Sequence, residues 1–137
     1  MLHLMKLAVG IADLPHLAAV QAERARSAPP LRHLTRNHPR RAAELIDGGS
    51  IYWVIGGNML ARQRIFDIQP ADEDGRTALL LDPVLVALTG RPTRPFQGWR
   101  YLDPAAAPAD LPRGGVAAGE DALPAALRRE LAALGLL

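Results

Sequence analysis

The sequence predicts an α+β domain built on a mostly antiparallel, curved sheet or small β-barrel with short flanking helices, for three reasons. First, Ser50 to Ile55 (SIYWVI) is rich in the β-branched and aromatic residues that favour strands. Second, Gly56, Gly57 and Asn58 follow it, and these residue types accept the positive φ of a tight hairpin turn. Third, the chain combines several other short strand-like segments with a few short helical ones, as a mixed domain does.

The hairpin returns along Met59 to Ile68, and two registers are open. A turn at Gly56 and Gly57 places Trp53 opposite Leu60, whereas a turn at Gly57 and Asn58 places Trp53 opposite Arg62. The registers differ by two residues, so they predict the same faces. One face holds Ile51, Trp53, Ile55, Leu60, Arg62, Arg64 and Phe66, and the other holds Tyr52, Val54, Met59, Ala61, Gln63 and Ile65. The arginines either lay their stems over this apolar surface or form a basic, aromatic surface for a ligand.

The segments before the hairpin read as two strands and two helices. Leu2 to Val9 and Leu31 to Arg36 have the alternation of strands. Asp13 can cap a helix that has Pro15 in its first turn and runs to about residue 26. A shorter helix over residues 39–47 begins at a proline and stops at a glycine pair, residues 48–49.

After the hairpin, Thr77 to Leu81 predicts a buried strand and Phe96 to Leu102 an extended segment. Val84 to Leu88 fits a short strand or a helical turn. We place one domain over residues 1–112, a loop over residues 113–121 and an amphipathic helix over residues 122–137, packed on the same domain. That helix carries an apolar stripe formed by Leu123, Leu127, Leu131 and Leu134.

Composition excludes several functional classes. The chain has no cysteine, which excludes disulfides, thiol catalysis and cysteine-based zinc sites. Its apolar runs are too short to span a membrane and its start lacks the pattern of a signal peptide, so we expect a cytoplasmic location and no membrane partner. The sequence has no phosphate-binding glycine loop, no nucleophile elbow around Ser50 and no spaced set of metal ligands. We therefore expect no catalytic residues, metal or cofactor, and favour a binding protein over an enzyme.

Arginine is concentrated in two segments. Residues 24–64 hold eight arginines against two acids, and residues 91–100 hold three arginines and no acid. Both tryptophans and Tyr52 also lie in these segments, and Tyr101 directly follows the second. Such a distribution predicts one positive surface and an anionic partner.

Single-stranded nucleic acids are bound by basic grooves with aromatic stacking platforms, which matches this combination. We predict that RNA or a nucleotide is the ligand, with phosphates contacted by Arg40, Arg41, Arg62 and Arg94 and bases stacked on Trp53 and Trp99. Backbone N–H groups at the start of the 39–47 helix add donors for a phosphate. The full predicted site comprises Arg36, Arg40, Arg41, Tyr52, Trp53, Arg62, Arg64, Arg94, Gln97, Trp99 and Arg100.

Four motifs, GGSIYWVIGG, ARQRI, LLLDPVLV and RPFQGWRYL, occur in this order. They resemble an uncharacterised bacterial family, found mainly in alphaproteobacteria, that is classed as a domain of unknown function. A looser resemblance of architecture, a short basic helix followed by a glycine pair and a strand-turn-strand, is to the PUA-like group with its ASCH and EVE domains. That resemblance implies a small mixed β-barrel, and many members of the group bind RNA or modified bases.

Two other functions compete with ligand binding. The first is a non-catalytic interaction module, which forms a homodimer through the leucine stripe of residues 122–137 or an exposed sheet edge. The second is an enzyme acting on a phosphorylated or nucleotide substrate, although no acid–base pair is visible in the sequence.

Overall fold

A computed structural model describes residues 1–71 and 75–115, and in this part of the chain a curled, antiparallel-rich sheet forms a half-barrel with two helices. The elements in chain order are β1 His3–Leu7, α1 Leu14–Ser27, β2 Arg32–Thr35, α2 Ala42–Ile46, β3 Ser50–Ile55, β4 Asn58–Pro70, β5 Thr77–Leu81, β6 Val86–Leu88, β7 Trp99–Leu102, a 3-10 turn Pro104–Ala106 and β8 Asp110–Gly115. The predicted α+β class is confirmed. The PUA-like assignment stays a prediction.

The sheet is organised around the long strand β4. Its strand order is β2-β5-β4-β3-β1-β7, and β6 pairs with β4 and with β8. The first half of β4 pairs with β3 and the second half with β5, and both ladders contain a register shift of the kind that bulges produce. Such shifts bend strands and increase their twist, which accounts for the curl of the sheet. β1 and β3 run parallel, whereas the other paired strands run antiparallel.

The two faces of the sheet carry separate apolar clusters. One face, which we call the helix face, packs against α1 and includes Leu4, Ile51 and Ile65 together with Leu17 of the helix. The second face carries a smaller cluster that includes Tyr52 and Val54. Each cluster draws on alternate residues of the same strands, as the two-residue period of a strand requires.

The predicted hairpin is confirmed, together with the faces of β3 and of the residues next to the turn, but the predicted faces of β4 from Ala61 to Ile65 are wrong. Gly56 and Gly57 form the turn with φ of 58° and 82°, and Val54 pairs with Met59, as the first of the two registers requires. Trp53, however, pairs with Ala61 because Leu60 is an extra residue on β4. Beyond this bulge the alternation of β4 is reversed relative to β3.

This reversal changes which side chains share a surface. Trp53 lies on the helix face with Ala61, and its indole N–H donates to the Gln63 side chain of the same face. Arg62 lies instead beside Tyr52, with which it is directly paired. The predicted surface of Trp53 with Arg62 and Arg64 therefore does not form.

The helices differ in how well the sequence predicted them. Helix α1 begins as expected, because the Asp13 side chain accepts the His16 N–H at 2.8 Å. Helix α2, predicted over residues 39–47, is only five residues long and begins at Ala42. The N–H of Arg41 donates to the Tyr101 hydroxyl at 3.0 Å, so this segment does not offer the predicted helix N-terminus for a phosphate.

Val86–Leu88 is a strand, which settles the alternative left open for that segment. Strand β8 reaches Gly115, three residues beyond the predicted end of the domain. The helix predicted over residues 122–137, with its stripe of Leu123, Leu127, Leu131 and Leu134, lies outside the described residues, so its dimer contact stays a prediction. Within residues 1–71 and 75–115, no helix has the length and apolar character needed to cross a membrane.

Candidate functional site

The predicted arginines and aromatic residues do not gather on one surface. Tyr52 and Trp53 are adjacent in β3, so they point to opposite faces of the sheet, and both are 4% exposed. Arg36, Arg40, Arg64, Arg94, Gln97 and Arg100 are exposed, and they lie on several different loops and strands. Arg100 is placed over the ring of Phe96, with its guanidinium carbon 5.7 Å from the ring centre.

Arg62 is committed to an internal ion pair. Its Nε and one terminal nitrogen each lie 2.7 Å from an oxygen of Asp110, and its other terminal nitrogen donates to Ser50 at 3.2 Å. The hydrogen bond from Arg62 lowers the pKa of Asp110. A bidentate pair of this kind joins β4 to β8, so we assign Arg62 a structural role in place of the predicted phosphate contact.

Arg41 and Trp99 do lie together, at the β7 edge of the sheet. The guanidinium of Arg41 is 5.6 Å from the ring centre of Tyr101, and Trp99 meets the same ring edge-on at 5.0 Å. Arg41 also donates to Glu44 at 2.7 Å, which neutralises its charge locally. The Trp99 indole N–H donates to the backbone of Asn37 at 3.0 Å, so these contacts hold β7 to the loop before α2.

The two tryptophans share the helix face with a residue that the predicted site does not contain. Lys6 of β1 is directly paired with Trp53 on β3 and with Trp99 on β7. Residues directly opposite each other in a sheet point to the same side, and both tryptophans pack against the helix-face cluster. The structure therefore forms a row across three strands, Trp53–Lys6–Trp99.

A cavity of about 220 Å³ opens beside this row, between the C-terminal half of α1, the start of β2 and the end of β1. Its walls are mostly apolar. The lining residues are Lys6, Leu7, Ala8, Val9, Ile11, Leu17, Val20, Gln21, Arg24, Leu31, Arg32, His33, Trp53 and Leu81. A wider recess of about 400 Å³ is lined by Arg24, Ala28, Arg32, His33 and Leu34. Because the two share three residues, we treat them as one feature and call it the α1/β2 cleft.

The cleft is positively charged. Lys6, Arg24 and Arg32 line it, and none of the other described lining residues is acidic. None of the three forms an ion pair with another of the described residues. Lys6 is partly buried, and burial lowers its pKa because the charged form loses water. Three unpaired cations around a concave apolar surface favour an anionic ligand.

His33 adds a neutral polar group to the cleft. Its ring meets Trp53 edge-on, with ring centres 5.3 Å apart. Burial, followed by the charges of Lys6 and Arg24, lowers the pKa of His33 to about 4, so the ring is neutral at physiological pH. Its Nε2 is buried without a hydrogen-bond partner among the described residues. Buried polar groups are nearly always paired, so this nitrogen is an exception in the fold.

The floor of the cleft is held in place by a network of buried amides. Gln21 of α1 and Gln63 of β4 exchange two hydrogen bonds of 2.8 and 2.6 Å. The indole N–H of Trp53 donates to the same Gln63 oxygen at 2.8 Å, and the Gln63 amide also donates to the backbone of Asp82 at 3.1 Å. This network fixes α1 against the sheet and holds Trp53 in one orientation, which preorganises the cleft.

Of the predicted site residues, Trp53 lines the cleft, and Trp99 lies on the other side of Lys6 in the Trp53–Lys6–Trp99 row. The sequence reasoning missed Lys6, Arg24, Arg32 and His33. One signal was available for Lys6, because it is the only lysine among 16 basic residues and follows Leu2 and Leu4 at the two-residue period of a buried strand face. In the described part of the chain, no three His, Asp or Glu side chains are grouped as a metal site.

Comparison with known proteins gives a family but no activity. No curated protein and no solved structure matches the chain. The sequence of residues 4–137 matches the family described as "Protein of unknown function (DUF1489)", which covers nearly the whole chain. The chain therefore belongs to the DUF1489 family.

Proposed function

We propose that this protein binds RNA or a nucleotide-like anion and that the binding site is the α1/β2 cleft. The observation that carries the proposal is the set of three cations, Lys6, Arg24 and Arg32, that line the cleft, whereas none of its described lining residues is acidic. The surface first predicted from the sequence gives weaker support, since Arg62 and Arg41 are already paired with Asp110 and Glu44.

The walls of the cleft favour an organic anion over an inorganic one. A phosphate or sulfate ion gains nothing from apolar walls, whereas a nucleotide has a flat base that can lie against them. Trp53 and His33 supply aromatic surface at the inner end of the cleft. The arginines lie toward the wider recess, where a phosphate would remain close to solvent.

The dimensions favour a single base in the inner cavity. Its volume of about 220 Å³ lies below the roughly 300–1,000 Å³ typical of sites for drug-sized ligands, so the sugar and phosphate of a nucleotide would lie in the recess. RNA would place one terminal or extruded base in the inner cavity, and its adjoining phosphates would follow Arg24 and Arg32 through the recess. We also expect a cytoplasmic location, in keeping with a nucleotide or RNA ligand.

Calorimetric titration with adenosine monophosphate and with a short single-stranded RNA tests the proposal. The double variant Arg24→Ala, Arg32→Ala should bind each ligand at least about tenfold more weakly, because hydrogen bonds from charged donors to phosphate are lost. Both arginines are exposed, so the variant should keep its fold, which a melting curve verifies. For RNA, the slope of log affinity against log salt should also fall by roughly one unit for each phosphate contact removed.

A matched control removes the same charge elsewhere. Arg64→Ala, Arg94→Ala takes away two exposed arginines that do not line the cleft. This control should bind each ligand with an affinity within about twofold of the parent's. Both proteins are compared at the same salt concentration, at which salt screens charges far from the site. Equal losses in both double variants would contradict the cleft as the site, and a parent that binds neither ligand at low salt would contradict the function.

A further inference from the structure

The only lysine of this chain lies in the cleft. Fifteen of its 16 basic residues are arginine, so most of its cationic positions use the guanidinium group. Lysine differs from arginine in one chemical respect that matters here. Its amine can lose a proton and act as a nucleophile, which a guanidinium group cannot do in a protein.

The surroundings of Lys6 make its ammonium form less favourable than that of a lysine in water. Lys6 is partly buried in the row between Trp53 and Trp99, so its charged form is poorly hydrated. The other ionisable groups lining the cleft are Arg24, Arg32 and His33, of which two are cations and the third is neutral. None of the described residues that line the cleft is a carboxylate, and burial lowers the pKa of Lys6.

We propose that Lys6 forms an imine with the carbonyl group of a small phosphorylated aldehyde or ketone bound in the cleft. The Nζ amine attacks the carbonyl carbon and a carbon–nitrogen bond forms. The carbonyl oxygen leaves with the two amine hydrogens as one water molecule. The step involves no oxidation or reduction and needs no further reactant.

The cleft provides what this ligand class requires. Arg24 and Arg32 at the recess can hold the phosphate, while Lys6 lies further in along the same surface. The open-chain form of ribose 5-phosphate, which is a nucleotide without its base, belongs to this class. The inference therefore rests on the anion site proposed above, and it names a chemical class that this site would capture covalently.

Reductive trapping tests the proposal in the full chain. The protein is incubated with glyceraldehyde 3-phosphate and sodium cyanoborohydride at neutral pH, and the adduct is located by mass spectrometry of the intact chain and its peptides. Unphosphorylated glyceraldehyde is the matched probe, and the α-amine of Met1 is the internal reference. We expect Lys6 to be labelled at least about tenfold faster by the phosphorylated probe than by glyceraldehyde, since the arginines gather the anion beside the amine.

Two variants distinguish labelling of Lys6 by a ligand bound in the cleft from labelling of an accessible amine. Lys6→Arg keeps the positive charge but lacks the amine, so the internal adduct should disappear while labelling of Met1 continues. Arg24→Ala, Arg32→Ala keeps Lys6 and should remove the preference for the phosphorylated probe. Equal labelling of Lys6 by both probes, or labelling of Met1 without Lys6, would overturn the inference.

A failure of imine formation at Lys6 can be distinguished from a failure of nucleotide binding. Binding of adenosine monophosphate is measured without an aldehyde, so it does not depend on imine formation. If the nucleotide binds and Lys6 shows no preference between the probes, the inference fails alone. If Lys6 prefers the phosphorylated probe and the nucleotide does not bind, nucleotide binding fails and the inference stands.

Discussion

Replacing Gly49 by alanine should destabilise the protein by about 3 kcal/mol or more, because there is no room for the added methyl group. A Cβ atom at this position would lie 2.1 Å from the carbonyl oxygen of Leu2 and 2.3 Å from that of Leu45. Both contacts are with backbone, so relief requires moving β1 or the end of α2. Gly49 also accepts a hydrogen bond from Ile65 of β4, which places it at a junction of three elements.

Denaturant unfolding of Gly49→Ala and Gly57→Ala measures this effect against a matched control. A Cβ atom added at Gly57 would meet nothing within 4 Å, but the φ of +82° at this residue disfavours alanine. We therefore expect Gly57→Ala to cost only about 1 kcal/mol. A Gly49→Ala protein as stable as the Gly57→Ala protein would show that Leu2 and Leu45 do not approach residue 49 as closely as these distances require.

The protein should lose about 2 kcal/mol of stability between pH 7 and pH 5 through His33 alone. Its pKa is lowered from 6.5 to about 4 by burial and then by Lys6 and Arg24. The unfolded chain therefore binds a proton in this pH range that the folded chain does not. This contribution is complete above the unfolded pKa and is lost as pH falls toward the folded one. His3 acts in the same direction, because burial and then Arg62 and the N-terminal charge lower its pKa too.

The contribution of His33 can be isolated by comparing the parent with His33→Phe. The free energy of unfolding of each protein is measured from pH 7 to pH 5 at constant ionic strength. Phenylalanine keeps an aromatic ring against Trp53 but does not titrate in this range. The variant should therefore show a pH dependence smaller by about 2 kcal/mol over that interval. An identical pH dependence in the two proteins would mean that His33 is not held neutral in the cleft.

The sequence predicted the elements whose signals are local. The hairpin over β3 and β4 follows from strand-forming residues around Gly56 and Gly57, and both glycines adopt the positive φ expected. Helix α1 follows from Asp13 as its cap and from its apolar side. Each of these signals lies within a few residues of the structure that it predicts.

The faces of the hairpin were predicted wrongly because a bulge has no reliable local signal. Leu60 fits an uninterrupted strand as well as a bulged one, yet as an extra residue it reverses the side on which Arg62 lies. The prediction therefore placed Arg62 beside Trp53. In the structure Arg62 bonds to Asp110, a partner 48 residues away in sequence.

The cleft could not be predicted because its residues come from separate segments. Lys6 lies on β1, Arg24 near the end of α1 and His33 on β2, and the packing of α1 on the sheet brings them together. The uneven arginine distribution did include Arg24 and Arg32 within its first window. Choosing them over the other six arginines of that window requires knowing which ones the fold places around a cavity.

Fluorescence of Trp53 during a nucleotide titration tests the central claim most directly. Trp99→Phe leaves Trp53 as the only tryptophan, and its side chain lines the inner cavity. Adenosine monophosphate should cause a saturable change in Trp53 emission, and Arg24→Ala, Arg32→Ala in the same background should weaken the apparent affinity at least about tenfold. Calorimetric binding of the nucleotide with no change in Trp53 emission, or a change that survives loss of both arginines, would contradict the α1/β2 cleft as the binding site.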